Sequence, residues 1–252
     1  MARLEIIALE GLPQVQPGDS VGELIVEALV RAQLVLEPSD ILVVAQKIVS
    51  KAEGQMRVLN DVVPSLKALQ LSRELEDKDP RLVELILQES QRIIRTGRQT
   101  IIVETHHGLI CANAGIDLSN TGIDRALLLP KDPDASARGV REEVKRRTDV
   151  SPGVIITDTF GRPWRLGTTD IAIGVAGFNP VLDYRGRKDR FGYELRASIT
   201  AVADQIAGAA ELVMGKTHDV PAVILRGYDA EPGAGSGRDL LRPIEDDLFR
   251  DR

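Results

Sequence analysis

The sequence has 252 residues, enough for one large domain or two small lobes. Its 32 Lys and Arg against 38 Asp and Glu leave a net charge of −6, which excludes a broad basic face for nucleic acid or an anionic membrane. Hydrophobic residues at 43 % and charged residues at 28 % are values of a folded globular chain rather than a disordered or membrane-embedded one. The single cysteine, Cys111, rules out an intrachain disulfide and a cysteine-cluster zinc site. No apolar run approaches the roughly 18 residues of a spanning helix, and the first residues lack a leader pattern, so a cytoplasmic location is expected.

Residues 4–9 read as a first strand, ended by Gly11 and Pro13. Asp19 and Ser20 offer an N-cap for an amphipathic helix reaching Ala32. Residues 41–45 form a short apolar run, a buried strand that delivers the polar sequence 46–54, read as a loop. From Ser65 to Ile94 the pattern is helical, interrupted at Asp79-Pro80 where the proline suits a helix start. Strands are expected at 100–103 and 109–112, followed by a loop rich in Gly, Asn and Ser over 113–122. A helix over 136–147 leads to a strand at 154–157, and a further strand is expected over 171–175. Residues 198–214 are Ala-rich and amphipathic, with Gly215 placed as a C-cap. Residues 223–225 form the last strand, and the glycine-rich stretch 231–237 reads as a flexible linker within a tail over 230–252. Strands and helices alternate irregularly, which points to an α+β fold of mixed sheets with flanking helices.

Candidate chemistry falls where apolar runs end. Asp117 and Asp158 each follow a buried strand among small polar residues, with Thr159 beside the second. Two such carboxylates suit a hard divalent cation, or they cap turns through Asx hydrogen bonds. Lys47 and Lys51 flank Ser50 and can meet a polyphosphate, or form a solvated surface pair. Arg162 and Arg165 surround the only tryptophan, Trp164, a set that suits a phosphate or carboxylate ligand with a stacking face; the alternative is an aromatic core or interface anchor. No Walker-type phosphate loop occurs, and the glycines of 233–237 lack a following helix pattern, against a dinucleotide fingerprint. His106-His107 fits a surface turn better than a metal pair, since neighbours on an extended segment point apart. Cys111, with no base partner in view, reads as a small buried hydrophobe.

Taken together, residues 11–19, 43–54, 112–120, 156–165, 170–177 and 211–215 resemble the coenzyme F420-0:γ-glutamyl ligase family, in order and over nearly the whole chain. The match is to the stand-alone form without a fused nitroreductase-like domain. The resemblance implies a two-lobed α+β subunit, with residues 1–229 as the catalytic region, and a homodimer. It implies a ligase that uses GTP to add L-glutamate to coenzyme F420-0, and then a further glutamate by γ-linkage, through an acyl phosphate.

Carried onto this sequence, Leu12, Pro13, Gln14, Val15, Gln46, Lys47, Lys51, Asn120, Met214, Gly215, Lys216 and Thr217 correspond to GTP contacts. Asp117, Asp158 and Thr159 correspond to positions for two Mg2+ or Mn2+ ions, and Asp117, Asp158 and Lys51 to the catalytic set, with K+ as a further cofactor. Arg162, Trp164 and Arg165 are candidates for the acidic coenzyme precursor. One departure stands out. Lys216 occupies a position where many members carry a Glu or Gln metal ligand, and an ammonium donates but cannot ligate a cation. Lys216 is then a phosphate contact, with Asp219 a replacement ligand. Two other readings remain: a nucleotide- or deazaflavin-binding protein without ligation, and an amide ligase with a different acceptor.

Overall fold

The structure is a computed structural model that describes residues 3–248. Its central sheet forms from the most apolar segments: β1 (Glu5–Ala8), β2 (Ile41–Ala45), β8 (Gly153–Arg162), β9 (Arg165–Ala176) and β12 (Ala222–Arg226). The strand order is β1-β12-β2-β8-β9, with β2 and β8 parallel and every other neighbour antiparallel. Strands β2, β8 and β12 are buried on both faces, which explains their near-continuous Val, Ile and Leu composition.

Helices cover both faces. Helix α1 (Val21–Arg31) starts where the Ser20 hydroxyl accepts from Glu23 N–H, and it packs with α5 (Pro133–Thr148) over the core of Leu9, Ile25, Leu42, Val44, Val140 and Ile156. Helix α6 (Val202–Met214) covers the other face, its Ala203, Ala207 and Ala210 stripe allowing close approach to Val43, Ile155 and Val223. At one end of the central strands, fully buried Asp40 takes a two-pronged bond from Arg226 at 2.8 and 2.6 Å, which ties the end of β12 to the start of β2.

The chain between β2 and α5 builds a second lobe with its own core, Ala68, Leu71, Leu75, Val83, Ile86, Ile101 and Val103. It contains α2 (Gln46–Ala52), β3 (Met56–Val58), α3 (Leu66–Glu74), α4 (Pro80–Gln88), β4 (Ser90–Gly97), β5 (Thr100–Thr105), β6 (Ile110–Ala112) and β7 (Arg125–Leu127). Strands β4-β5-β6 form one antiparallel sheet and β3-β7 a small second one, so mixed sheets with flanking helices give the α+β class. A last pair, β10 (Val181–Asp183) with β11 (Ile199–Ala201), closes the base of an exposed arm.

Four sequence expectations are corrected. The polar segment after β2 is the helix α2, not a loop. The helical pattern overruns at its end: α4 stops at Gln88, and the β-branched residues Ile93, Ile94 and Thr96 pair in β4. Residues 199–201 pair with β10 before α6 begins. Residues 231–237, read as flexible linker, pack on the core together with residues up to 240, and the glycines serve close approach. A Cβ at Gly237 would lie 2.6 Å from Ile173 O, and one at Gly235 2.5 Å from Phe178 O. Gly237 N–H donates to buried Asp134 Oδ1 at 2.7 Å and Ser236 Oγ to Oδ2 at 2.5 Å, while Ser236 and Asp239 form a reciprocal capping box. Residues 249–252 of the expected tail lie outside the described residues. Among the described residues no helix is long and apolar enough to cross a membrane.

Candidate functional site

The parallel pair β2 and β8 ends at Ala45 opposite Thr157, and the residues that follow turn polar together. This is the edge at which mixed and parallel sheets commonly receive ligands. A cleft of about 1030 Å³ opens there between the sheet and the second lobe.

Helix α2 begins directly at the end of β2, which puts Lys47 and Lys51 one turn apart on one face, both lining the cleft. Gln46, fully buried, accepts from Ser50 Oγ at 2.8 Å, and its amide nitrogen has no partner among the described residues. An unpaired buried donor on a cleft wall is costly unless a ligand oxygen satisfies it.

Asp117 reaches the cleft through a tight left-handed passage at the end of β6. Asn113, Ala114 and Gly115 all have positive φ, and Gly115 is pressed so closely on Leu129 that a Cβ would approach it to 2.8 Å. Asp117 then locks onto Leu127 by paired backbone bonds of 3.0 and 2.9 Å. Its carboxylate meets Lys47 Nζ at 2.7 Å and accepts from Ser119 N–H at 2.6 Å; Lys47 also donates to Ser119 Oγ at 2.6 Å. Burial pushes the Asp117 carboxyl up, but the Lys47 ammonium and Ser119 outweigh it and hold it below the usual range.

The β8–β9 hairpin supplies the rest. Thr159 Oγ1 donates to Asp170 Oδ1 at 2.6 Å, and Thr157 Oγ1 lies 3.4 Å from Asp170 Oδ2. These three side chains share one face of the hairpin, so Asp158 between the threonines points to the other, toward Asp117. Burial drives the Asp158 carboxyl up to about 7, reinforced by the charges of Asp170 and Asp117 and opposed by the N–H of Thr159 and by Lys47. From the end of α6, where Gly215 turns the chain, Lys216 Nζ donates to Thr159 Oγ1 at 2.5 Å.

The cleft therefore gathers Leu12, Pro13, Gln14, Val15, Gln46, Lys47, Lys51, Asn120, Met214, Gly215 and Lys216 with Asp117, Asp158 and Thr159, and Asp219 also lines it. Thr217 follows Lys216 on the chain but is not among the lining residues. Arg162, Trp164 and Arg165 stand apart from the lining, at the solvent-exposed tip of the hairpin, with Trp164 85 % exposed and its φ positive. Sequence reasoning assigned no role to Asp170, a buried cleft carboxylate. Its signal was hidden by a bulge: Ile156 pairs with Gly174 but Thr157 with Ala172, leaving Ile173 as an extra residue on β9. Alternation counted back from Val175 then assigns Asp170 to the wrong face.

Comparison with known proteins agrees with this architecture. The family model described as F420-0:Gamma-glutamyl ligase matches residues 11–227. The coenzyme F420:L-glutamate ligase of Methanothermobacter thermautotrophicus is 46 % identical over 98 % of this chain and 99 % of its own length. Those of Methanocaldococcus jannaschii, 43 % identical over 98 % and 97 %, and of Archaeoglobus fulgidus, 39 % identical over 98 % and 97 %, are similar over the same extent. A match that runs through both lobes and every wall of the cleft leaves one assignment: the chain belongs to the F420-0:gamma-glutamyl ligase family.

Proposed function

We propose that this protein joins L-glutamate to the carboxylate of coenzyme F420-0, and then a further glutamate to the γ-carboxylate of the first, with GTP as the energy source. The observation that carries this reading is the convergence of Lys47, Lys51 and Lys216 with Asp117, Asp158 and Asp170 around one cleft large enough for a nucleotide and an acceptor. Its size, about 1030 Å³, lies at the upper end of the range of about 300–1,000 Å³ usual for ligand sites.

The chemistry follows from the reactants. A carboxylate is a poor electrophile, so its oxygen first attacks the γ-phosphorus of GTP and GDP leaves, giving an acyl phosphate. The glutamate amine then attacks the acyl carbon, the C–O bond to phosphate breaks, and the amine proton is lost as the amide forms. Lys47 and Lys51 suit the phosphate oxygens, and Asp117 holds the Lys47 ammonium in place for them.

The donors also fit Mg2+ or Mn2+. They are hard oxygens, and Asp158 is a half-buried carboxyl with no ammonium bonded to it. Among the described residues no group of three or more His, Cys, Asp or Glu is placed to hold an ion alone. Asp117 and Asp158 would thus share the ion with water and nucleotide phosphate. When bound, it supplies charge neutralisation on the transferring phosphoryl group. The resemblance adds a K+ ion and a homodimer to the proposal.

The test is mass spectrometry of the precursor incubated with protein, GTP, L-glutamate and Mn2+ or Mg2+, beside an Asp117→Ala control. A glutamyl increment is expected, absent from the control. GTP binding without any increment would overturn the reading in favour of a nucleotide- or deazaflavin-binding protein; an increment only on another acceptor would redirect the substrate.

A further inference from the structure

The carboxylates of the cleft are unequally matched. Asp117 has the Lys47 ammonium at 2.7 Å, and Asp170 has that of Lys216 at 3.4 Å. Asp158 makes no side-chain hydrogen bond or ion pair among the described residues; only the Thr159 N–H donates to it.

We propose that Lys216 is a tethered cation whose ammonium takes the place of a second divalent cation beside Asp170 and Thr159 Oγ1, leaving the cleft a single divalent-cation position at Asp158, the carboxyl without an ammonium on it. The inference rests on the cleft being a metal-dependent site. Three observations support it. First, the three protons of the ammonium have three acceptors: Thr159 Oγ1 at 2.5 Å, Glu211 Oε1 at 3.2 Å and Asp170 Oδ1 at 3.4 Å. Thr159 donates its own hydrogen bond to Asp170 Oδ1 at 2.6 Å, so the hydroxyl and that carboxylate oxygen are both engaged with the ammonium and with each other.

Second, Thr159 and Asp170 line the same cleft as Asp158 but project from the opposite face of the hairpin, where they are bonded to each other and to Lys216 rather than to Asp158. Third, the backbone turn that carries the half-exposed lysine is constrained. Gly215 has φ of 56°, and the His218 ring packs so tightly that a Cβ on Gly215 would lie 2.6 Å from Nδ1. Asp170 is only 5 % exposed, so without Lys216 it is a buried carboxylate lacking its cation. Such a group either takes a proton or recruits an ion.

The experiment is a Mn2+ titration of the metal-free protein, followed by the electron paramagnetic resonance of free Mn2+, with thermal unfolding run in parallel. One bound ion per chain is expected for the wild type and two for Lys216→Met, with the second lost again when Asp170→Asn is added. If Lys216→Met does not fold, Lys216→Gln carries the same expectation. Two ions in the wild type, or one in both wild type and variant, overturns the tethered cation while the metal reading stands. No bound Mn2+ in any form overturns both.

Discussion

Asp158 sets the chemistry of single residues at this site against the stability of the fold. Its pKa of about 7 in the folded chain lies above the roughly 3.9 of an unfolded Asp. Between those values the folded state binds the extra proton, so this group's contribution to stability falls as pH rises from about 4 to about 7, and the full penalty is present above that. Without divalent cations, Asp158→Asn is therefore expected to raise stability at pH 8 by up to about 4 kcal/mol and to change it little at pH 4. Thermal melts at the two pH values check this; an equal gain at both, or none at pH 8, would count against it. The substitution should also remove activity, as expected where a group is kept for function at a cost to the fold.

Cys111 is the residue-scale counterpart without a task. Burial, and then the nearby Asp158 charge, push its thiol up to about 12, so at pH 8 only about one molecule in 10⁴ is thiolate. A thiol reagent is expected to label the native chain at least ~100-fold more slowly than the unfolded chain. Complete labelling of native protein within the mixing time would contradict the buried placement.

At the scale of elements, one carboxylate fastens three segments. Buried Asp134, in the first turn of α5, accepts from Val175 N–H in β9 at 2.8 Å, from Gly237 N–H at 2.7 Å and from Ser236 Oγ at 2.5 Å. Asp134→Ala leaves two backbone donors without their acceptor, at about 1–3 kcal/mol each, so a loss of about 2–5 kcal/mol in urea unfolding is expected. Hydrogen exchange around residues 236–240 should quicken at the same time, because Asp134 ties Ser236 and Gly237 to the sheet. A loss below about 1 kcal/mol would mean that other contacts hold it.

The same segment shows where the sequence is legible and where it is not. Strands β1, β2, β5 and β12 and helix α1 were visible because local signals and tertiary burial agree: Ser20 caps, and the apolar runs are core. The glycines of 233–237 carried the composition of a linker, yet Gly235 and Gly237 are small because another backbone passes close by and Gly233 because the Asn179 side chain does, reasons that exist only in three dimensions. Lys47 and Lys51 were legible as a pair, but not as neighbours on a helix, since a 7-residue helix is too short for a periodic signal. Asp117 and Asp158 were found because they end apolar runs. Asp170 was missed because the bulge at Ile173 reverses the alternation that would have aimed it at the cleft.

For the whole molecule, the distribution of aromatic residues argues for assembly. The chain has 4 Phe, 3 Tyr and 1 Trp, and of these Trp164, Phe191 and Tyr193 are 85 %, 80 % and 65 % exposed. Phe191 and Tyr193 lie on the arm closed by β10 and β11, where the Lys188–Glu194 bridge makes a small turn and Arg190 stacks over the Phe191 ring at 4.5 Å. Arg185, Arg187, Lys188, Arg190 and Arg196 outnumber Asp183, Asp189 and Glu194 and make this arm net basic on a chain whose net charge is −6. Exposed rings amid guanidinium groups are the composition of an interface centre, and an acidic second copy of the chain has the complementary charge. Sedimentation equilibrium at micromolar concentration is expected to give twice the 27.5 kDa chain mass. The double substitution Phe191→Glu and Tyr193→Glu should return the particle to one chain mass, with its melting temperature little changed, because neither ring contributes to the core of its own subunit. A wild-type particle of one chain mass would refute the homodimer, and a dimer that survives the double substitution would move the interface away from the arm.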